Sequence, residues 1–137
     1  MGIHVILELE TGERLKELLD PKSLTNVILA LAARDTICLD AIDEYGLTVF
    51  NQLQIPRLIQ ELERARGLIT EKSIEELYAA DIARAKAVNS SPAIITTLEQ
   101  YRRIRTYKKV LEHLEATLKI AKEALDRPHH YLRFDGD

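Results

Sequence analysis

Residues 3–9 alternate between apolar and polar side chains with the period of two that is typical of a β-strand. The apolar side chains of Ile3, Val5 and Leu7 fall on one face of this strand. A Thr-Gly turn signal follows, so that residues 13–19 (ERLKELL) could return as a second strand. The leucines of that segment fit helical spacing equally well, and both alternatives stay open.

Apolar residues at helical spacing predict four further elements. The first helix begins after Ser23, which is placed to cap it. The second runs from about Leu53 to Gly67, with a proline that the first turn tolerates. The third begins at Ser73, where a glutamate three residues later suggests a capping box. The last extends from Pro92, with Ser91 as its cap, to about Asp126.

The last of these patterns has an apolar residue at every third or fourth position over three heptads, which predicts a packing seam. Its members are Ile104, Tyr107, Leu111, Leu114, Leu118, Ala121 and Leu125. The helix around Ile74–Ala85 is shorter and can cover only part of this seam. Either the sheet covers the rest or a second copy does, and we favour a homodimer.

Two more segments predict β-structure. Residues 36–51 (TICLDAIDEYGLTVFN) suggest a hairpin, in which Ile37 and Leu39 share a face of the first arm and DEYG forms the turn. After Pro128, Leu132 and Phe134 alternate with polar residues, which predicts a final strand that joins the sheet.

Adjacent residues of a strand point to opposite faces, so His129 and His130 do not readily ligate one metal ion. We therefore expect no metal site at this end of the chain. The predicted fold is a single α+β domain over residues 1–137, with a small, mainly antiparallel sheet packed by helices. A long helical hairpin, at about 70–126, is inserted before the C-terminal strand.

Composition excludes several classes of protein. The formal net charge is −3, which argues against a generally basic protein that coats nucleic acid. Cys38 is the only cysteine, so neither an intrachain disulfide nor a thiolate zinc cluster can form. The longest apolar run, Val27–Ala33, is far shorter than the roughly 20 residues of a membrane span. Without a signal-peptide pattern, we expect a cytoplasmic protein with no membrane association.

The densest group of charges is the basic run YRRIRTYKKV, residues 101–110. Basic side chains can neutralise phosphates and tyrosines can stack on bases. On one continuous helix, however, these side chains spread around the cylinder, and we favour solvated or subunit-contact roles. The candidate binding residues of this run are Arg102, Arg103, Arg105, Lys108 and Lys109.

No catalytic pattern stands out. The chain has no glycine-rich phosphate loop and no H-E-x-x-H zinc motif, and its clustered carboxylates near the predicted hairpin suit turn formation. We therefore predict no enzymatic activity, no cofactor and no catalytic residues.

Two segments carry a resemblance to known proteins. Asp43–Gln54 has the form D-x-Y-G-x-T-V-F-N-x-L-Q, and 129–137 has the form H-x-Y-L-x-F-x-G-D. The chain thereby resembles a family of small uncharacterised bacterial proteins. The resemblance implies a small α+β fold with both segments in one sheet, and it implies no activity. This chain differs in Glu44 and Leu47, where proline and aspartate are usual, and in its longer helical insert.

The functional hypothesis from the sequence is a non-enzymatic protein-interaction module, of the kind represented by immunity proteins or antitoxins. It rests on the missing catalytic pattern and on a helical seam longer than a small domain needs. The alternative is a nucleic-acid-binding protein that uses the basic segment 101–109.

Overall fold

Four strands form one antiparallel sheet whose central pair joins an early strand to a late one. In the computed structural model, which describes residues 2–136, the strands are β1 (Ile3–Leu9), β2 (Arg14–Leu18), β3 (Leu47–Phe50) and β4 (His130–Gly136). Their order is β2-β1-β4-β3. The predicted first and last strands are confirmed, and the open choice at residues 13–19 is decided in favour of a strand.

Five helices accompany the sheet: α1 (Leu24–Leu31), α2 (Ile55–Leu68), α3 (Glu71–Ala87), α4 (Pro92–Ile104) and α5 (Tyr107–Ala124). Helix α5 lies on the sheet, and α1 and α2 pack beside it. Helices α3 and α4 form a hairpin that reaches the rest of the molecule mainly where α3 contacts α1. The α+β prediction is confirmed, although α5 belongs to the core rather than to an insert.

The core lies between the sheet and α5 because one face of each central strand is apolar. Val5 and Leu7 of β1 face the helices beside Leu132 and Phe134 of β4, and all four side chains are buried. The ring of Phe134 meets that of Phe50 edge to face, with centroids 5.7 Å apart. The final strand therefore supplies central packing.

The prediction of one continuous helix from Pro92 to Asp126 is wrong. The chain leaves the helical conformation at Arg105, and the Thr106 side chain accepts a hydrogen bond from the Lys109 amide at the start of α5. Threonine caps a helix better than it extends one. The apolar spacing crosses this break without a change, which explains why periodicity alone misses it.

The first arm of the predicted hairpin is also absent. Residues 37–42 form turns, because the buried carboxylate of Glu61 accepts hydrogen bonds from the backbone amides of Ile37 and Cys38, the latter at 2.9 Å. This carboxylate takes the place of a neighbouring strand as hydrogen-bond partner. Strand β3 instead pairs with β4, so the two segments that carry the family resemblance do share one sheet.

Three helix ends differ from prediction. Ser23 has a left-handed backbone, with φ 54°, and its side chain does not cap α1; Asp20 does. The capping box of α3 joins Thr70 to Ser73, three residues before the predicted one. Gly67 lies inside the last turn of α2, which ends at Leu68.

The apolar seam of α5 is covered within the chain. Leu114, Leu118 and Ala121 are buried against the sheet and its flanking helices. The sheet and the neighbouring helices cover this part of the predicted seam, whereas Ile104 at its start is exposed. None of the described helices is long and apolar enough to cross a membrane.

Phe134→Ala is expected to lower the free energy of unfolding by about 3–5 kcal/mol, because the side chain is only 1% exposed and its removal leaves a cavity. Urea denaturation measures this change. Leu53→Ala is the matched control, since Leu53 is 89% exposed and its loss should cost less than about 0.5 kcal/mol. Equal effects of the two substitutions would contradict the central position of β4.

Candidate functional site

The break between α4 and α5 divides the basic run among two helices and a link. Arg102 lies on α4 and pairs with Glu75 of α3, while Arg103 is exposed. Arg105 lies in the link, and Lys109 in the first turn of α5. Arg102, Arg105 and Lys109 therefore do not lie on the one continuous helix that the sequence pattern predicted.

Arg105 ties this link to the turn that precedes α1. Its Nε donates a hydrogen bond to the carbonyl oxygen of Lys22 at 2.7 Å. Its guanidinium carbon lies 4.0 Å from the centroid of the Tyr101 ring, a cation–π contact. The Arg105 side chain is thus held in place by a hydrogen bond and by a cation–π contact.

A cavity of about 270 Å³ opens at this point, and we call it the junction pocket. Three parts of the chain meet there: the end of α4 with its link, the turn before α1, and the loop before β3. Its principal lining residues are Lys22, Asn26, Glu44, Tyr45, Tyr101, Ile104 and Arg105. The pocket therefore combines cations, aromatic rings and one amide.

The electrostatic balance of the junction pocket is positive. Lys22 and Arg105 line it, and Lys109 lies beside Lys22, whose ammonium group holds the pKa of Lys109 below its usual value while Glu112 acts in the opposite direction. Across residues 2–136, no ion pair involves any of these three cations. Glu44 is the one acidic residue of the lining.

A buried carboxylate positions the turn that carries Lys22. Asp20 accepts hydrogen bonds from the first two amides of α1, at 2.7 Å from Leu24 and 2.8 Å from Thr25. The backbone amide of Asp20 in turn donates to Nδ1 of His4 on β1, at 3.1 Å. The turn is therefore fixed to the sheet and to the helix that follows it.

His113 connects this turn to α5. Its Nε2 lies 2.8 Å from Thr25 Oγ1 and 3.8 Å from Asp20 Oδ2, and all three side chains are buried. Burial lowers the pKa of His113 from its usual value of 6.5, and the Asp20 carboxylate opposes that change. The imidazole is neutral at pH 7 and holds α1 against α5.

Two glycines allow the walls of the junction pocket to approach the sheet. A Cβ on Gly2 would lie 1.7 Å from the carbonyl oxygen of Asp20, and one on Gly136 would lie 2.3 Å from that of Glu44. Larger residues at these positions would push the turn and the loop apart. The shape of the pocket thus depends on backbone contacts at one end of the central strands, where Ile3 of β1 pairs with Gly136 of β4.

One buried polar atom near the pocket, Oδ1 of Asn26, has no hydrogen-bond partner among the described residues. Asn26 lines the pocket. Burial raises the pKa of Tyr78, and the nearby Arg105 guanidinium acts against this increase. Unsatisfied buried polar groups are rare in folded proteins and often mark a place where something binds.

Other candidates for chemistry are explained by structure. The Cys38 thiol is buried, and desolvation, with the adjacent Glu61 carboxylate as a second cause, raises its pKa away from that of a nucleophile. His129 pairs with Glu10 at the surface. Within residues 2–136, no three His, Cys, Asp or Glu side chains are grouped to hold a metal ion.

Comparison with known proteins gives no match to a family model, to a curated protein or to a solved structure. The resemblance of the segment around Asp43–Gln54 to a bacterial family stays a prediction. The functional argument consequently rests on the geometry of this chain.

Sequence reasoning found Arg105 and Lys109 but missed Lys22, Asn26 and Tyr45, which join them only through the fold. Nothing in the Asp-Pro turn before Lys22 indicates a contact with residues more than 80 positions later. The sequence indicates the break between α4 and α5 only through Thr106, a residue type that favours helix caps, inside the predicted continuous helix.

Lowering the pH from 7.5 to 5.5 is expected to destabilise the protein through His113. Its folded pKa lies below its unfolded value near 6.5, so in this range the unfolded chain binds more protons and stability falls as the pH falls. Urea unfolding at both pH values should show a smaller loss in His113→Gln than in the unsubstituted protein.

The control for this experiment is His129→Gln, which removes an exposed imidazole and should keep the pH dependence of the unsubstituted protein. If His113→Gln loses as much stability on acidification as the parent chain, the buried imidazole is not the titrating group.

Proposed function

We propose that this chain is a non-enzymatic protein-interaction module, and that it pairs through the exposed face of α4 with a second copy of itself. The observation that carries the proposal is the burial of α4. None of the side chains of this 13-residue helix is buried, although the helix is amphipathic. A helix of this length is marginal in water unless its apolar side is packed.

The exposed apolar stripe of α4 has the spacing of a helical seam. Ile94, Thr97, Tyr101 and Ile104 follow one another at intervals of three and four residues, and all are exposed. The side of α4 that carries Arg102 faces α3, because Arg102 pairs there with Glu75. The stripe lies on a neighbouring side of the helix, about 100° away in the case of Tyr101, and its side chains are exposed.

The charge distribution of α4 suits contact with an identical helix. The segment Pro92–Leu98 contains no charged residue, and Arg102 is already neutralised by Glu75. A two-fold axis across the stripe would lay this uncharged half against the Tyr101–Ile104 half of the other copy. Such a contact uses the same patch twice and encounters no like-charge repulsion at its centre.

The nucleic-acid alternative has less support. Arg102 forms an ion pair with Glu75. The remaining basic side chains are divided among the end of α4, the link and the start of α5, so they do not form one line. A nucleic-acid backbone presents phosphates at regular intervals and needs a continuous positive track. The cations that do converge form a compact group around one pocket.

Light scattering coupled to size exclusion, at micromolar concentration, tests the proposal. We expect a mass twice the 15.6 kDa of one chain. Ile94→Asp places a charge at the N-terminal end of the apolar stripe, opposite the Tyr101–Ile104 half of the other copy. It should return the protein to a single-chain mass with its circular dichroism unchanged, because Ile94 is already 50% exposed.

Leu53→Asp is the matched control, since Leu53 is more exposed and lies in the turn between β3 and α2. That turn contacts the C-terminal end of α5 through Gln52. Because α5 is about 27 Å long at 1.5 Å per residue and α4 ends just before its N-terminal end, Leu53 lies far from the end of α4. This variant should stay dimeric. A single-chain mass for the unsubstituted protein, or dissociation by Leu53→Asp as well, would refute pairing through α4.

A further inference from the structure

We propose that the junction pocket binds a small phosphorylated ligand that carries a flat ring, of the chemical class of the nucleoside monophosphates. This site shares Tyr101 and Ile104 with the pairing stripe of α4, and neither proposal depends on the other. Lys22 and Arg105 would hold the anionic group, Tyr45 and Tyr101 the ring, and Asn26 a polar group of the ligand.

The first argument is the gathering of cations without carboxylate partners. Lys22 and Arg105 line the pocket, and Lys109 stands beside Lys22, although like charges repel. The Nε of Arg105 is engaged by a carbonyl oxygen, which fixes the position of the guanidinium beside the pocket, and the Tyr78 hydroxyl is a second polar neighbour of this group. Guanidinium groups bind phosphate through paired hydrogen bonds, and a neighbouring ammonium adds a point charge. A doubly charged anion would relieve the repulsion among the three cations.

The second argument is the aromatic and apolar part of the lining. Tyr45 and Tyr101 belong to different walls of the pocket, and Ile104 lies between Tyr101 and Arg105 in sequence. Tyr45 is 75% exposed and packs against little of the protein. Exposed tyrosines beside cations are suited to stacking on a planar ring, which contributes to binding whatever the base.

The third argument is the unsatisfied amide of Asn26. Asn26 lines the pocket, and its Oδ1 is buried and accepts no hydrogen bond from the described residues. An amide can both donate and accept, so it can recognise the hydroxyl or amino groups of a nucleoside. A buried acceptor of this kind is costly to the free protein and is satisfied when a donor binds.

The size and charge of the pocket limit the ligand to a small molecule. Its volume of about 270 Å³ lies just below the range of about 300–1,000 Å³ that is usual for small-ligand sites. Glu44, at the rim, would repel further phosphates along a polymer. The compact arrangement thus favours a mononucleotide over a nucleic-acid strand.

Isothermal titration of the full chain tests this proposal, with AMP, GMP, CMP and UMP as probes, each compared with inorganic phosphate and with adenosine. At least one nucleotide should bind saturably. Its affinity should exceed that of phosphate or adenosine by at least about tenfold, because each of these supplies only one half of the contacts.

Two exposed positions outside α4 supply the variants. Lys22→Gln and Tyr45→Ala should each weaken nucleotide binding by about tenfold or more while the melting temperature stays unchanged. Their matched controls, Lys119→Gln on the exposed side of α5 and Leu53→Ala, should bind as the unsubstituted protein does. Asn26→Ala should weaken binding without loss of stability, since Oδ1 has no protein partner to lose.

Three results would overturn the proposal. The first is the absence of saturable binding at concentrations up to about 10 mM, beyond the millimolar end of the usual affinity scale. The second is phosphate binding as tight as nucleotide binding, which would remove the role of the ring. The third is a single-stranded oligonucleotide that binds more tightly than every mononucleotide, which would make the pocket part of a nucleic-acid track.

Discussion

The carboxylate of Asp20 is the interaction on which the arrangement around it depends. A buried carboxylate is tolerated only when hydrogen bonds from the protein replace those that it made to water. Here the first two backbone amides of α1 donate these hydrogen bonds. The same residue uses its backbone amide to contact His4 on the sheet. His113 then brings α5 to within reach of the same group. The sheet, α1 and α5 thus meet at one polar point inside an apolar core.

Most of the fold could be predicted from periodicity because the strands and helices of the core each carry an apolar face. The alternation around Val5 and Phe134 and the helical stripe around Leu62 all correspond to the observed core. Two of the errors arise where a side chain outside the predicted element satisfies its backbone. Glu61 does so for the turn at Cys38 from another helix, and Asp20 does so for α1 from the preceding turn.

The binding surfaces could be predicted only in part. The basic run was visible, yet its division depends on Thr106, a single capping residue inside an otherwise helical pattern. The junction pocket depends on Lys22, Asn26 and Tyr45, which come from separate segments and meet through close backbone approaches at Gly2 and Gly136. The seam of α5 was read correctly as a packing surface, but its partner is the sheet of the same chain.

The strand order also has a consequence for how the protein acquires its structure during synthesis. The central pair of the sheet joins β1 to β4, with Val5 opposite Phe134, so nearly the whole chain must be made before this pair can form. Until then β1 has only β2 as a neighbour, and one long edge of it stays open. Contacts between such distant segments close slowly because a long loop must be ordered first. The nascent chain therefore has helices early and a sheet late, and its apolar first strand is the part most exposed to wrong pairing on the ribosome.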